Sequence, residues 1–348
     1  MKLSVCFIVK NEEKVLARAL VCAQKFADEI VVADTGSTDE TVKIAREFTS
    51  NIYYFSWNDD FSAARNYAFS KANGDFLMWL DADDVIEEKE IKKLLALKER
   101  LDGADTFMLQ YHTGELVYYR ERILRRSPAA CWKGRVHEAI VPFGKVAYEH
   151  ITIAHCKENA GMDRRNLLIY ERMCAEKYPF SARDEFYYAR ELYYDGQYEK
   201  SAQKFENFLC REDGWRENKI SACEHLAACY LALQNRNEAK RALFYSFLIS
   251  SPRAEILCKL AEIWFEEREY TQAIFYYRAC FLSEYNPKSG GFFCPEYYDF
   301  IPCIGLCLCY FRLGDIAEAE RWNNRAGEYR PEHPAYLYNV KYFQSLKS

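Results

Sequence analysis

Residues 76–85 read FLMWLDADDV, five apolar side chains running straight into Asp81, Asp83 and Asp84. An apolar run of this kind fits a strand buried on both faces, as in parallel sheets covered by helices. The carboxylates that follow repel one another unless water solvates them or a cation sits among them. In an extended strand Asp81 and Asp83 point to the same face, where converging carboxylates suit a hard divalent ion. The competing reading is a solvated strand end, with Asp84 as cap or supporting acid before the helix expected over EEKEIKKLLALKERL.

Outward from this stretch, strand-like runs alternate with helical periods. LSVCFIV (3–9), EIVVAD (29–34) and NIYYFSW (51–57) read as strands. Glu12–Phe26, TDETVKIAREF (38–48, with Thr38 or Asp39 placed to cap) and FSAARNYAFSKA (61–72) read as helices. That alternation predicts a Rossmann-like α/β domain with a mostly parallel sheet between helices. Ligands of such sheets bind at the carboxyl ends of the strands. Lys10-Asn11-Glu12, Asp34-Thr35-Gly36-Ser37 and Asp81-Ala82-Asp83 each stand where a strand ends, so three polar clusters are expected on one edge.

From about residue 165 the pattern is helical throughout and repeats. Ser201, Ala239, Ala273 and Ala319 occupy one equivalent position at spacings of 38, 34 and 46 residues. Only the middle spacing matches the 34-residue tetratricopeptide period, so the others need insertions, NPKSGGFFCPEYYDF being the evident one. Helix pairs of this type bury their apolar faces by stacking on neighbours. The expected division is an α/β domain over 1–160, with an acceptor-side segment from about 105. A linker helix over 161–182 and all-α tetratricopeptide-like repeats over 183–348 complete it.

The totals fit this plan. The chain has 348 residues, 50% of them hydrophobic, and a net charge of −5. It therefore has no global basic field to recruit nucleic acid or an anionic membrane. No apolar run reaches the roughly 18–20 residues that span a bilayer, so no integral membrane segment is expected. Many of the fourteen cysteines lie inside apolar helical patterns, where a thiol behaves as a small hydrophobe. With no signal-peptide pattern at the start, a reducing cytoplasmic location is expected.

Other residues could carry chemistry. Asp34 could accept from a nucleobase or ribose, or simply belong to a turn that caps the next helix. Arg65 could bridge diphosphate oxygens. In CWKGRVHEAI (131–140), Glu138 or His137 could act as a general base. His155, ending the strand-like HITIAH, could complete a metal sphere or be structural.

Together and in this order, SVCFIVKNEEKVLARAL, EIVVADTGSTDETVKIA, FSAARNYAFSKANGDFLMWLDADD and WKGRVHE resemble the family 2 glycosyltransferases of the GT-A fold. The branch that is similar has GRVHE followed by an I-x-H strand. It includes glycocin-type peptide S-glycosyltransferases with a tetratricopeptide tail. The resemblance implies a nucleotide-sugar donor, UDP-linked by expectation, a Mn²⁺ or Mg²⁺ cofactor and inversion at the anomeric carbon. It places Glu12 near the nucleoside, Asp34 on the base, Arg65 on the diphosphate and Asp81 near ribose and metal. Asp83 and His155 become metal ligands. Many relatives have a Glu-Asp pair where His137-Glu138 stands, so Glu138 is favoured as base with His137 its rival. Thr35 replaces a second acid found in many relatives, which thins the base contact. A peptide, protein or cell-surface glycan acceptor and a homodimer through the repeats are the expected partners. The alternative is a nucleotide-sugar-binding adaptor whose repeat tail is the functional surface. A nucleotidyltransferase is disfavoured because VKNEEKV offers no glycine-rich triphosphate loop.

Overall fold

In the computed structural model, which describes residues 1–113, 116–156, 164–284, 286, 291 and 293–346, the first unit, Met1–Pro179, is built on an eight-stranded sheet. In chain order its strands are β1 (Leu3–Val9), β2 (Glu29–Asp34), β3 (Ile52–Tyr54), β4 (Phe76–Trp79), β5 (Asp84–Val85), β6 (Thr106–Thr113), β7 (Leu116–Arg125) and β8 (Val146–His155). They lie in the order β3-β2-β1-β4-β7-β6-β8-β5. The first four are mutually parallel. Strand β7 then pairs antiparallel with both β4 and β6, and β8 runs parallel to β6.

Alternate side chains of β1 and β4 enter different cores, which is why both strands read as continuous apolar runs. Val5, Phe7, Phe76 and Met78 pack with Leu16, Leu20, Ile91 and Leu94, residues of helices α1 (Leu16–Gln24) and α4 (Glu88–Lys98). Cys6, Leu77 and Trp79 pack with Ala68, Phe69 and Trp132 on the other face, where α3 (Phe61–Lys71) lies. Because β1, β2 and β4 are parallel, their polar ends share one edge. Helix α2 (Thr41–Arg46) follows β2, and α5 (Arg165–Ala175) closes the unit.

Four local expectations meet a different structure. The helix expected from Glu12 begins at Leu16, because the Glu12 N–H donates to Thr41 Oγ1 at 2.6 Å and keeps the preceding residues in a loop. Asp81 and Asp83 do not share the face of an extended strand. Strand β4 ends at Trp79, and a turn closed by the Asp84 N–H on the Asp81 carbonyl (3.1 Å) carries them. Asp84 caps no helix: α4 starts four residues later with Glu87 at its N-cap, and Asp84 is fully buried. Residues 161–182, expected as a linker helix, include α5, which belongs to the first unit and buries Leu167, Tyr170 and Met173.

The second unit, Phe180–Ser348, is a series of helix pairs. These are α6 (Ala182–Tyr194) with α7 (Tyr198–Leu209), α8 (Arg216–Ala232) with α9 (Arg236–Tyr245), α10 (Ala254–Glu266) with α11 (Tyr270–Cys280), and α12 (Phe300–Arg312) with α13 (Ile316–Tyr329). Helix α14 (Pro334–Ser345) follows. Ser201, Ala239, Ala273 and Ala319 are all fully buried. Small residues there let the second helix of each pair approach closely. Five residues before each lies a left-handed turn residue: Gly196 (φ +78°), Gln234 (+59°), Arg268 (+64°) and Gly314 (+83°). Only two of the four are glycine, so the sequence marked two turns clearly and concealed two. Part of the insertion expected at NPKSGGFFCPEYYDF lies outside the described residues.

A close backbone–ring approach in this unit sits at Gly305 of α12. A Cβ there would meet the Tyr277 ring at 2.3–2.5 Å, and Tyr277 is itself buried. Alanine ordinarily stabilises a helix by about 1 kcal/mol over glycine. At Gly305 the expected outcome is reversed, since overpacking costs about 1–3 kcal/mol and the enclosed ring has little room to yield. Urea denaturation of Gly305→Ala should give a lower midpoint than the wild type, and a higher one would contradict the packing described.

Candidate active site

The strand ends open into a cleft of about 640 Å³. Its walls include Lys10, Asn11 and Glu12 after β1, Thr35 after β2, Arg65 of α3, Asp81 and Asp83 after β4, and His137 and Glu138. Arg120, Arg165 and Asn166 also line it. Three non-glycine residues at or beside this cleft take left-handed conformations, Asn11 (φ +56°), Asp59 (+59°) and His137 (+50°). Such conformations persist only where surrounding contacts impose them. For Asn11 those contacts are a bond from its N–H to Ser37 Oγ (3.0 Å) and one from the Thr38 N–H to its Oδ1 (2.8 Å).

Arg65 is the hub. Its Nε donates to Glu138 Oε1 at 2.6 Å and its Nη2 to Asp81 Oδ1 at 2.7 Å. Its guanidinium also packs against Trp79 and Trp132, 5.1 and 4.7 Å from the ring centroids, which meet edge to face 5.1 Å apart. One arginine thus ties the acidic turn to the GRVHE segment. Burial pushes the Asp81 carboxyl up, but Arg65 and Arg122 outweigh it and hold the group down at about 2.

Behind the turn lies a second ion pair. Arg122 Nη1 donates to Asp84 Oδ2 at 2.9 Å, with both side chains wholly buried. Asp84 also accepts from the Tyr111 hydroxyl (3.0 Å) and the Asp81 N–H (3.0 Å). Arg122 is sandwiched by Trp79 and Tyr111, 3.5 and 4.2 Å from their centroids. None of these roles for Arg122, Tyr111 or Trp79 was legible as a motif.

His155 ends β8 directly opposite Asp84 in the ladder. Its Nδ1 lies 3.2 Å from Asp83 Oδ1 and 3.4 Å from Asp84 Oδ1. Hydrogen bonds to those two carboxylates, against the opposing effect of burial, raise its pKa to about 10. Ligand atoms of Asp81, Asp84 and His155 all lie within 4.8 Å of one another. Within that group Asp84 is also held by Arg122 and Tyr111, as Asp81 is by Arg65, and Asp83 adjoins it through His155. Carboxylates with an imidazole, as in that group, fit a divalent cation. Glu12 lies across from it; burial first, then the Asp83 charge, raises its carboxyl.

Asp34 is not brought to the cleft wall. It is buried, and its carboxylate accepts from the N–H groups of Gly36 (3.2 Å) and Ser37 (3.1 Å). Its visible task is to shape its own turn.

Residues 4–160 match Glycosyl transferase family 2, a match that lies within the first unit. A TPR repeat-containing protein of Synechococcus elongatus is 34% identical over 145 residues, 40% of this chain and 35% of that protein. The SPbeta prophage-derived glycosyltransferase SunS of Bacillus subtilis is 25% identical over 260 residues, 69% of this chain and 61% of SunS. The chain thus spans between 35% and 61% of the length of these relatives. S. aureus TarS 1-349 aligns over 96% of this chain and 92% of its own, at 14% identity and a TM-score of 0.39.

Removing the hub tests the electrostatics. Arg65→Ala leaves Asp81 and Glu138 without their cation, a change that costs about 3–5 kcal/mol for a buried pair. Asp81 is lowered in the folded state, so its share of stability is present above the ordinary value near 3.8 and is lost as pH falls towards 2. Urea denaturation should therefore show a wild-type advantage over Arg65→Ala at pH 6 that narrows at pH 3. A pH-independent advantage would contradict the pairing.

Proposed function

We propose that the first unit transfers a sugar from a nucleotide-diphosphate sugar, most simply a UDP-sugar, to a nucleophilic acceptor with inversion at C1. The observation that carries this reading is the gathering of Asp81, Asp83, Arg65 and Glu138 in one cleft of a glycosyl transferase family 2 domain, with His155 bonded to Asp83. Asp81, Asp83 and His155 would hold a divalent cation, which when bound supplies positive charge to the departing diphosphate. The protein's own groups do the rest. Arg65 fixes Asp81 and Glu138 relative to each other, so the acidic turn and the base keep one separation. Glu138 takes the acceptor's proton as the acceptor forms its bond to C1 and the C1–O bond to the diphosphate breaks. His137, at its constrained backbone position beside Glu138, orients the acceptor.

A peptide, protein or cell-surface glycan is the acceptor class we favour, with the helical repeats as its binding partner or as a dimer surface. All fourteen cysteines are free thiols, which supports a reducing, cytoplasmic setting. Among the described residues no helix is long and apolar enough to cross a membrane.

Two measurements test this reading. In thermal denaturation, Mn²⁺ plus UDP should raise the melting temperature of the wild type, and Asp83→Ala should abolish both that shift and sugar transfer. Undiminished transfer in that variant would sink the proposal. Glu138→Gln should lower turnover by about 10²–10⁴-fold, the usual contribution of a general base, while Mn²⁺–UDP binding persists. Should His137→Gln produce that loss and Glu138→Gln not, the base is His137.

A further inference from the structure

The run NIYYFSW (51–57) reads as a strand through Trp57, but β3 ends at Tyr54. The Phe55 N–H donates to the Asp34 carbonyl at 2.8 Å, so the chain passes the end of β2 before Trp57 enters the cleft wall. There the indole Nε1–H donates to Asp59 Oδ1 at 3.0 Å, and Arg172 of α5 pairs with Asp59 Oδ2. Asp59 is one of the left-handed residues beside the cleft (φ +59°). A backbone position that only its contacts sustain thus fixes the indole in one plane. Core packing does not explain the arrangement, because Trp57 is half-buried and belongs to neither core of the sheet described above.

Four other Trp, Tyr or Phe rings line the cleft, and each carries an arginine. Trp79 and Trp132 pack on Arg65, Tyr111 on Arg122 and Phe61 on Arg165. The first three of these rings are also buried. The imidazole of His137 stands beside Glu138, at the base. Trp57 meets Phe61 edge to face, with centroids 4.8 Å apart at 68°, and among the described residues no cation lies over its ring.

The sheet order β3-β2-β1-β4 places this ring at the other end of the cleft from the acidic turn that follows β4. With neighbouring strands about 4.8 Å apart, the ends of β2 and β3 stand about 10–14 Å from that turn. A ribose and two phosphates bridge that distance. A nucleotide whose diphosphate lies at Asp81 and Asp83 therefore brings its base to Trp57. Asp34, the carboxylate expected to meet the base, accepts instead from the N–H groups of Gly36 and Ser37.

We propose that Trp57 is the nucleobase platform of the cleft, its indole stacking on the base of the nucleotide-sugar donor while Asp59 and Arg172 hold it in place. Stacking suits this position because every base presents a π face, and a ring fixed beforehand loses little freedom on binding. The assignment rests on the glycosyl-transfer reading. It moves the base contact from the carboxylate that ends β2 to an aromatic ring beyond β3.

Titration of the full chain with Mn²⁺ and UDP, and separately with Mn²⁺ and inorganic pyrophosphate, tests it in the wild type, Trp57→Ala and Trp57→Phe. Trp57→Ala should lose about fivefold to hundredfold in UDP affinity, the scale of one base–aromatic stack. Pyrophosphate affinity should stay within about twofold of wild type, and Trp57→Phe should recover most of the UDP loss. UDP affinity within about twofold of wild type in Trp57→Ala overturns the assignment while leaving the glycosyl-transfer reading standing. Equal loss of UDP and pyrophosphate overturns it too, by showing a merely structural role. A wild type that binds neither UDP nor GDP contradicts both.

Discussion

The site depends on one buried ion pair. Arg122, arriving on β7, crosses beneath the end of β4 and meets Asp84 with neither side chain exposed. Burying two charges is expensive, and such a pair is weak evidence for stability as such. Here its consequence is placement. Asp84 receives Arg122, the Tyr111 hydroxyl and the Asp81 N–H at once, which fixes the turn from Asp81 to Asp84. Asp81 and Asp83 are thereby aimed into the cleft while Asp84 is withdrawn from it. The three acids of the turn are sorted by this into one buried structural group and two that line the cavity.

A second bridge, from Asp81 through Arg65 to Glu138, extends that order across the cleft. Both arginines pack against aromatic rings and both use Trp79. The indole is tied by its Nε1–H to the Glu121 carbonyl at 2.6 Å and carries Arg120 as well, 5.0 Å from its centroid. The result is a preorganised array in which charges are set by the fold before a substrate arrives.

Much of this was legible in the sequence because it is local. Apolar runs in β1, β2 and β4 announced doubly covered parallel strands, and their polar ends announced a shared edge. The small residues Ser201, Ala239, Ala273 and Ala319 marked the repeat pairs. What escaped was non-local. Nothing near Asp84 in the chain signals Arg122, because β7 reaches β4 only through a sheet order that departs from chain order. Asp81 and Asp83 looked like one strand face because two-residue spacing is identical in a strand and in the turn that replaces it. Gln234 and Arg268 adopt left-handed turns by tertiary override where glycine would have been the readable choice.

The most direct test is a crystal structure with Mn²⁺ and UDP, using anomalous scattering to locate the metal. The account expects one anomalous peak bounded by Asp81, Asp83 and His155, with Arg65 still joining Asp81 to Glu138 and Arg122 still on Asp84. UDP bound in the cleft with no metal at that turn, and His155 still paired to Asp83, would contradict it.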